Sequence, residues 1–235
     1  MKTNENQAEN LIKSAERVKS HGEVFTPKRI VNKMLNQPEI MAKVKDLTAT
    51  FLEPAAGEGA FLVELVKRKL KYAAEQSSTA EEFDIKSLMA LSSLYGIELL
   101  EDNIEILVMS MYSTFKDNYQ TVMKDAFHAK PNQKVLDSAK VIIQANIAQG
   151  DALKKTDANG EPIIFSEWKP LGKTKVQRTE YTFESIINDG KPTGTVHEKQ
   201  LDLFSVMDSD YFANEPSTKQ YVPCKWINLY KKQLK

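Results

Sequence analysis

The stretch that most constrains this chain is Phe51 to Leu62, which reads FLEPAAGEGAFL. A short apolar approach from Ala49 to Leu52, with one Thr, runs into the acid–proline pair Glu53-Pro54. The small residues Ala55, Ala56, Gly57, Glu58 and Gly59 follow, and Ala60 opens a run of strong helix formers to about Leu70. The pattern is strand, small-residue loop, helix. Gly57 and Gly59 have no Cβ, so backbone N–H groups there can come close to a ligand. The loop would deliver that ligand to the positive end of the following helix. The same residues also suit a plain strand-to-helix turn, and short glycine patterns recur by chance, so the neighbouring segments decide.

On either side the chain alternates helix and strand. Before the loop, Phe25-Thr26-Pro27 predicts a helix with Thr26 as N-cap and Pro27 at its first position, presenting Ile30, Val31, Met34 and Leu35 on one face. A further helix runs from Pro38 to Asp46, and a first strand spans about Thr48 to Pro54. Behind the loop, Phe61, Leu62, Leu65, Val66 and Leu70 form the buried stripe of one helix, which frays into Ala73 to Glu82 with a surface loop at Gln-Ser-Ser-Thr; a second helix covers about Ala80 to Leu91. A second strand, Leu94 to Ile97, ends at Glu98. An acid in that place accepts hydrogen bonds from ribose hydroxyls in doubly wound folds, or it caps the helix that begins at Asp102-Asn103. Ile104 to Phe115 is apolar almost all round and reads as a deeply buried helix, its two Met and one Tyr as packing. Helix in two pieces, broken at Pro131-Asn132, leads to a third strand, Ala145 to Gln149, closed by Gly150-Asp151.

Phe25-Thr26-Pro27, the Glu53–Gly59 loop, Tyr95-Gly96-Ile97-Glu98-Leu99 and Gln149-Gly150-Asp151-Ala152-Leu153, in this order, resemble the amino-terminal cofactor half of the adenine-specific (N6) DNA methyltransferases of restriction-modification systems. The likeness is nearest to the type I modification subunits and the Eco57I-like single-chain enzymes. It covers about residues 20 to 155. The resemblance implies an α/β fold: a doubly wound, Rossmann-like core dependent on S-adenosylmethionine (AdoMet), truncated, with a β-hairpin after the third strand. It also implies AdoMet as cofactor, held by Phe25, Thr26, Glu53, Ala55, Gly57, Gly59, Glu98 and Asp151. Phe25 and Thr26 would fold over the methionine end, and Asp151 would receive the adenine amine; for Asp151 the competing reading is a simple Gly-Asp turn.

One part of the family pattern is missing. Amino-methyltransferases of this kind carry Asn, Asp or Ser, two prolines and an aromatic after a fourth strand, to align the target amine and stack on a flipped base. No such tetrapeptide occurs in this sequence. Where it would fall stand Pro162 to Pro170, a turn at Leu171 to Thr174, and an alternating return strand from Val176 to Phe183, which together predict a hairpin. Little length then remains for further strands or a target-recognition domain. The expected activity is therefore AdoMet binding in DNA adenine methylation with no catalytic residue in this chain and catalysis dependent on a partner, either a second methyltransferase chain or a recognition subunit. The alternative is a non-catalytic regulatory module on the same fold.

The remaining readings concern organisation. Residues 1–20 form an N-terminal arm or helix, 21–187 the AdoMet-binding domain, and 188–235 a flexible linker and interaction segment. Gln200, Leu201, Asp202, Leu203 and Phe204 resemble the pentapeptide that docks bacterial DNA enzymes on the sliding clamp. With 32 basic and 32 acidic residues the net charge is zero, so bulk charge lends DNA binding no support. The single Cys224 excludes an internal disulfide framework, and His21, His128 and His197 lack ligand spacing, so no metal is expected. The polar first twenty residues and the absence of a long apolar run predict a cytoplasmic protein without a membrane span.

Overall fold

In the computed structural model of the chain, the described residues are 13–21, 24–188 and 221–231. The clamp-like pentapeptide Gln200–Phe204 and most of the expected linker lie outside them. The order of the main elements is α1 (Ala15–His21), α2 (Lys28–Leu35), α3 (Pro38–Lys45), β1 (Phe51–Glu53), α4 (Ala60–Glu75), α5 (Ala80–Ser92), β2 (Leu94–Glu98), α6 (Glu101–Asp125), α7 (Gln133–Asn146) and β3 (Ile147–Asp151). After them come β4 (Thr156–Asp157), β5 (Ile164–Leu171), β6 (Lys175–Thr182), α8 (Phe183–Ile187) and β7 (Cys224–Lys225), with a 3-10 turn at Trp226–Asn228.

β1, β2 and β3 form a parallel sheet in sequence order, with Phe51 beside Leu94 and Gly96 beside Ile147, and β4 closes it antiparallel at Gly150 and Asp151. Each crossover is a helix pair, α4–α5 and then α6–α7. Both step the same way, and right-handed connections therefore place both pairs on one face. The pleat sorts the strands accordingly. Gly96 turns toward α4, where an added Cβ would lie 2.7 Å from Leu62; Tyr95 and Ile97 turn to the other face and pack with Phe165 and Phe183 of the antiparallel β5–β6 unit and α8. Helices, sheet and hairpin make three layers. The reversal of strand order that a doubly wound arrangement requires is not found among the described residues, where the sheet runs β1-β2-β3-β4.

Several local expectations also change. The first strand shrinks to Phe51–Glu53, because Pro54 has no N–H for a ladder and the 46–49 loop is held otherwise, by Lys69. That lysine is 0% exposed, and its Nζ donates to the carbonyls of Asp46 (2.8 Å), Leu47 (3.3 Å) and Ala49 (2.9 Å) beneath the Phe51 ring. Burial pushes its pKa down to about 8, opposed by the nearby Asp46 charge. α4 continues to Glu75 rather than fraying after Leu70. α6 spans 25 residues and buries a single stripe of Asn103, Leu107, Met111, Phe115, Tyr119 and Met123. It is not buried all round: Met109 is 71% exposed. On α2, Val31 and Leu35 are buried while Met34 faces outward.

Two buried polar knots lock the helical layer. Asn146 donates to the carbonyls of Ser92 (3.0 Å) and Leu94 (3.1 Å) and accepts from the Trp168 indole (2.8 Å), joining α7, the entry to β2, and β5. Asp84 of α5 accepts from the Tyr119 hydroxyl and from Asn132 (2.7 Å), which also caps α7. Within these two knots the buried side-chain groups are paired, the condition under which a buried polar group does not cost stability.

Candidate cofactor site

The carboxyl ends of β1 and β2 open beside the Gly57–Gly59 loop, where a cleft of about 640 Å³ is bounded by that loop, the 24–28 segment, α4 and α6. Phe25, Thr26, Glu53, Ala55, Gly57 and Gly59 all line it. Six of the eight residues singled out in the sequence thus converge on one hollow. Among the described residues no group of three or more His, Cys, Asp or Glu side chains is arranged to hold a metal ion.

The loop's shape follows from its glycines. Gly57 (φ 53°) and Gly59 (φ 93°) both sit in the left-handed region, where a side chain strains the backbone. A Cβ on Gly59 would also collide with Leu107 of α6. Ala56 donates to the Ile97 carbonyl at 2.9 Å, stitching the loop to the β2 end. Gly59 caps α4 with no side-chain hydrogen bond, so the first-turn N–H groups of a 16-residue helix are left for solvent or a ligand. Phe25 stacks alongside: its ring lies 4.0 Å from where a Cβ of Gly57 would stand.

Thr26 is not the expected N-cap. Pro27 takes that position with extended backbone (φ −57°, ψ 141°), and its carbonyl receives the Ile30 and Val31 N–H groups at 2.8 and 3.1 Å. With the helix beginning one residue later, at Lys28, no side chain caps it, and Thr26 lines the cleft.

Glu98 and Asp151 do not line the cleft. Glu98 is 7% exposed. One carboxylate oxygen accepts from the Gly57 N–H at 2.7 Å; the other accepts from the Leu100 N–H at 3.0 Å and from Asn103 Nδ2 at 3.2 Å. The carboxylate thus holds the backbone at the start of α6, as the helix-side reading of this acid expected, and also ties down the glycine loop. The Gly57 N–H, expected to be open to a ligand, is engaged by it. Asp151 folds back on its own turn: Oδ1 accepts from the N–H groups of Leu153 (2.9 Å) and Lys154 (3.1 Å), and Oδ2 pairs with Lys154 Nζ at 3.3 Å. The backbone bond from Lys154 holds its carboxyl below the usual carboxylate range. Glu53 goes the other way, because burial pushes its pKa up against a bond from the Ala55 N–H.

Sequence reasoning missed the contribution of the N-terminal arm and of α6. Lys13 Nζ bridges Glu58 (2.9 Å) and Asp102 (3.0 Å), reaches Asn103 Oδ1 (2.6 Å) and lies 5.8 Å from the Phe25 ring centre. Arg17 grips Asp102 with both terminal guanidinium nitrogens, Nη1 and Nη2, at 2.9 and 3.0 Å. These bonds, from Arg17 first, hold the Asp102 carboxyl down at about 2. Lys13 and Asp102 are 89 residues apart, and no local pattern links them. Ser110, Ser113 and Thr114 of α6 also line the cleft; their signal was the polar side of a helix that read as apolar almost all round.

The model of the N-6 DNA methylase family matches residues 9–196 of this chain. The chain belongs to the N-6 DNA methylase family. That assignment covers the cleft, the parallel sheet and the hairpin together, and it agrees with the family resemblance read from the four sequence segments. No curated protein and no solved structure gives a match.

Proposed function

We propose that this N-6 DNA methylase domain binds AdoMet in the cleft at the β1 and β2 ends and serves DNA adenine N6-methylation as the cofactor-holding partner. The observation that carries this reading is the convergence of Phe25, Thr26, Glu53, Ala55, Gly57 and Gly59 on one hollow at an uncapped helix start. The donor set suits the ligand. The α4 N–H groups match a carboxylate, while Glu53 at the β1 end is the acid of the cleft wall that would meet the cationic sulfonium and ammonium, Glu58 and Glu64 being paired with Lys13 and Arg68. When bound, AdoMet supplies an electrophilic methyl group. The chain's part is to orient it: Phe25 and Thr26 over the methionine end, and Glu98, behind the cleft wall, by steadying the Gly57 loop. Asp151 takes part only if Lys154 releases Oδ2, because Oδ1 is committed to two backbone N–H groups.

Titration calorimetry with AdoMet tests the reading. Binding is expected, with Gly59→Val abolishing it and Glu98→Ala weakening it several-fold, the equivalent of about 1 kcal/mol for a lost hydrogen bond. Absence of both heat and a melting shift at saturating AdoMet would leave the non-catalytic module as the correct account. The missing Asn/Asp/Ser-Pro-Pro-aromatic tetrapeptide already favours dependence on a partner. Orientation of reactants supplies about 7–11 kcal/mol of a barrier, so the chain alone is expected to transfer tritiated methyl to mixed-sequence DNA at background rate. Separately, a peptide carrying Gln200 to Phe204 is expected to bind a bacterial sliding clamp.

A further inference from the structure

The loop that bounds the cleft is easily deformed, because Gly57 and Gly59 carry no Cβ to restrict them. Its ends are fastened by main-chain bonds, from Ala56 to the Ile97 carbonyl and from Gly59 to the Ala56 carbonyl, each at 2.9 Å. Its middle, Gly57-Glu58, is held by side chains from elsewhere in the chain. Glu98 accepts from the Gly57 N–H at 2.7 Å and from Asn103 Nδ2 at 3.2 Å. Asn103 Oδ1 accepts from Lys13 Nζ at 2.6 Å, and Lys13 Nζ pairs with Glu58 at 2.9 Å. These bonds close a ring that runs from Lys13 through Asn103, Glu98, Gly57 and Glu58 back to Lys13.

Lys13 is the cation of that ring. Three acceptors, on Glu58, Asp102 and Asn103, match the three N–H groups of its ammonium. Asn103 and Glu98 are buried, and the Lys13 and Glu58 side chains are only 25% and 34% exposed, so the pair is more shielded than an open surface pair. Without the ammonium, Glu58 would face Asp102 and the Glu98 carboxylate with Arg17 alone to offset them, and like charge would drive Glu58 away. The same Nζ lies 5.8 Å from the centre of the Phe25 ring, which packs against Gly57. Glu58 and Phe25 both line the cleft, and Lys13 touches both without lining it.

We propose that Lys13 is a positioning residue of the cofactor loop: by closing the ring it holds Gly57-Glu58 and Phe25 in the arrangement that receives AdoMet, and so sets the affinity of the cleft without touching the ligand. A loop already held in its bound shape has less freedom to lose on binding. The inference rests on the AdoMet reading above, but its loop readout needs no ligand. Amide exchange on the ligand-free full chain and titration calorimetry with AdoMet are compared across the parent, Lys13→Met, Lys13→Arg and Arg17→Met. Lys13→Met is expected to speed Gly57 exchange about ten-fold while β2 exchange and the melting temperature stay at parent values. It should also weaken AdoMet binding several-fold. Lys13→Arg, which keeps the charge, should recover most of both. Arg17→Met removes one grip on Asp102 and leaves the ring intact, so it should speed exchange in Ala15–His21 with Gly57 exchange and AdoMet affinity unchanged.

Parent-like Gly57 exchange or parent-like AdoMet affinity in Lys13→Met overturns the proposal. So does an equal effect of Arg17→Met on Gly57, which would mean that docking of the whole arm, rather than the ring, holds the loop. Tighter AdoMet binding by Lys13→Met would show the released Glu58 meeting the cofactor's cation directly, and overturns it as well. If the parent binds no AdoMet while Lys13→Met still speeds Gly57 exchange, the cofactor reading alone falls and the hold of Lys13 on the loop stands.

Discussion

The two flanks of the parallel sheet are built on opposite terms. At the β3 flank, β4 turns back within five residues of Asp151 and the hairpin packs over the face beside it. Gly150 has no side chain there because the Thr156 carbonyl would stand 2.5 Å from its Cβ. At the β1 flank, among the described residues, the backbone edge has no neighbouring strand and lies between two apolar hollows. The first flank is finished by local chain reversal. The second has the chemistry of a sheet interior without the neighbouring strand. Position in a sheet thus depends on what the surrounding side chains provide, and β1 is furnished as a central strand.

The sharpest way to break this contrast is Gly150→Val. Its side chain meets the Thr156 carbonyl and Ile163, so β4 must leave, and a loss of about 3–4 kcal/mol is expected in urea unfolding. Lys69→Met tests how β1 is held when one side lacks a ladder. It strips the carbonyls of Asp46, Leu47 and Ala49 of their donor, and about 3 kcal/mol should be lost on thermal melting. The folded pKa of about 8 lies below that of a free lysine. The cost of burying this charge is therefore full below pH 8 and relieved as pH rises toward about 10.4, the ordinary lysine value. The wild type should accordingly gain stability relative to the Met variant across that window.

Leu52→Lys at the open flank should cost the isolated chain no more than about 0.5 kcal/mol, as for exposed positions generally; a loss as large as that of Gly150→Val would mean the edge is not open. The smallest effect concerns the ion pairs at the start of α6. The Asp102 carboxyl is held at about 2 by Arg17 and Lys13, below its ordinary value. Docking of α1 is thus supported fully above about pH 3.9 and lost as pH falls through about 2. Amide exchange in Ala15–His21 should accelerate in acid, and Asp102→Asn should show the fast rate at all pH.

The parallel wing was legible because its signals are local. Strand, glycine loop and helix from Phe51 onward, the β2 end at Glu98 and the breaks at Pro131-Asn132 all follow from short-range pattern. The burial of α6 was misread because its apolar residues were counted rather than placed by angle: Leu107, Met111 and Phe115 share a stripe that Met109 does not. The inward Lys69 could not be read, since its partners are backbone carbonyls and carry no residue signature. Nor could the Lys13 and Arg17 grip, which spans about a third of the sequence. Asp151 shows the limit of matching by resemblance: the residue type fits the pattern, while its carboxylate is engaged by the next turn.

Because β1, β2 and β3 follow one another without a reversal, each can pair with the strand just made as the chain leaves the ribosome. The strand with a bare side is then the oldest of the three and stays open longest. Its safeguards are brevity and Pro54: three residues, then a proline without an N–H, give a stray chain little ladder to extend. Any lasting attachment there must draw its strength from the side hollows, which makes the edge selective during synthesis, when it is most at risk.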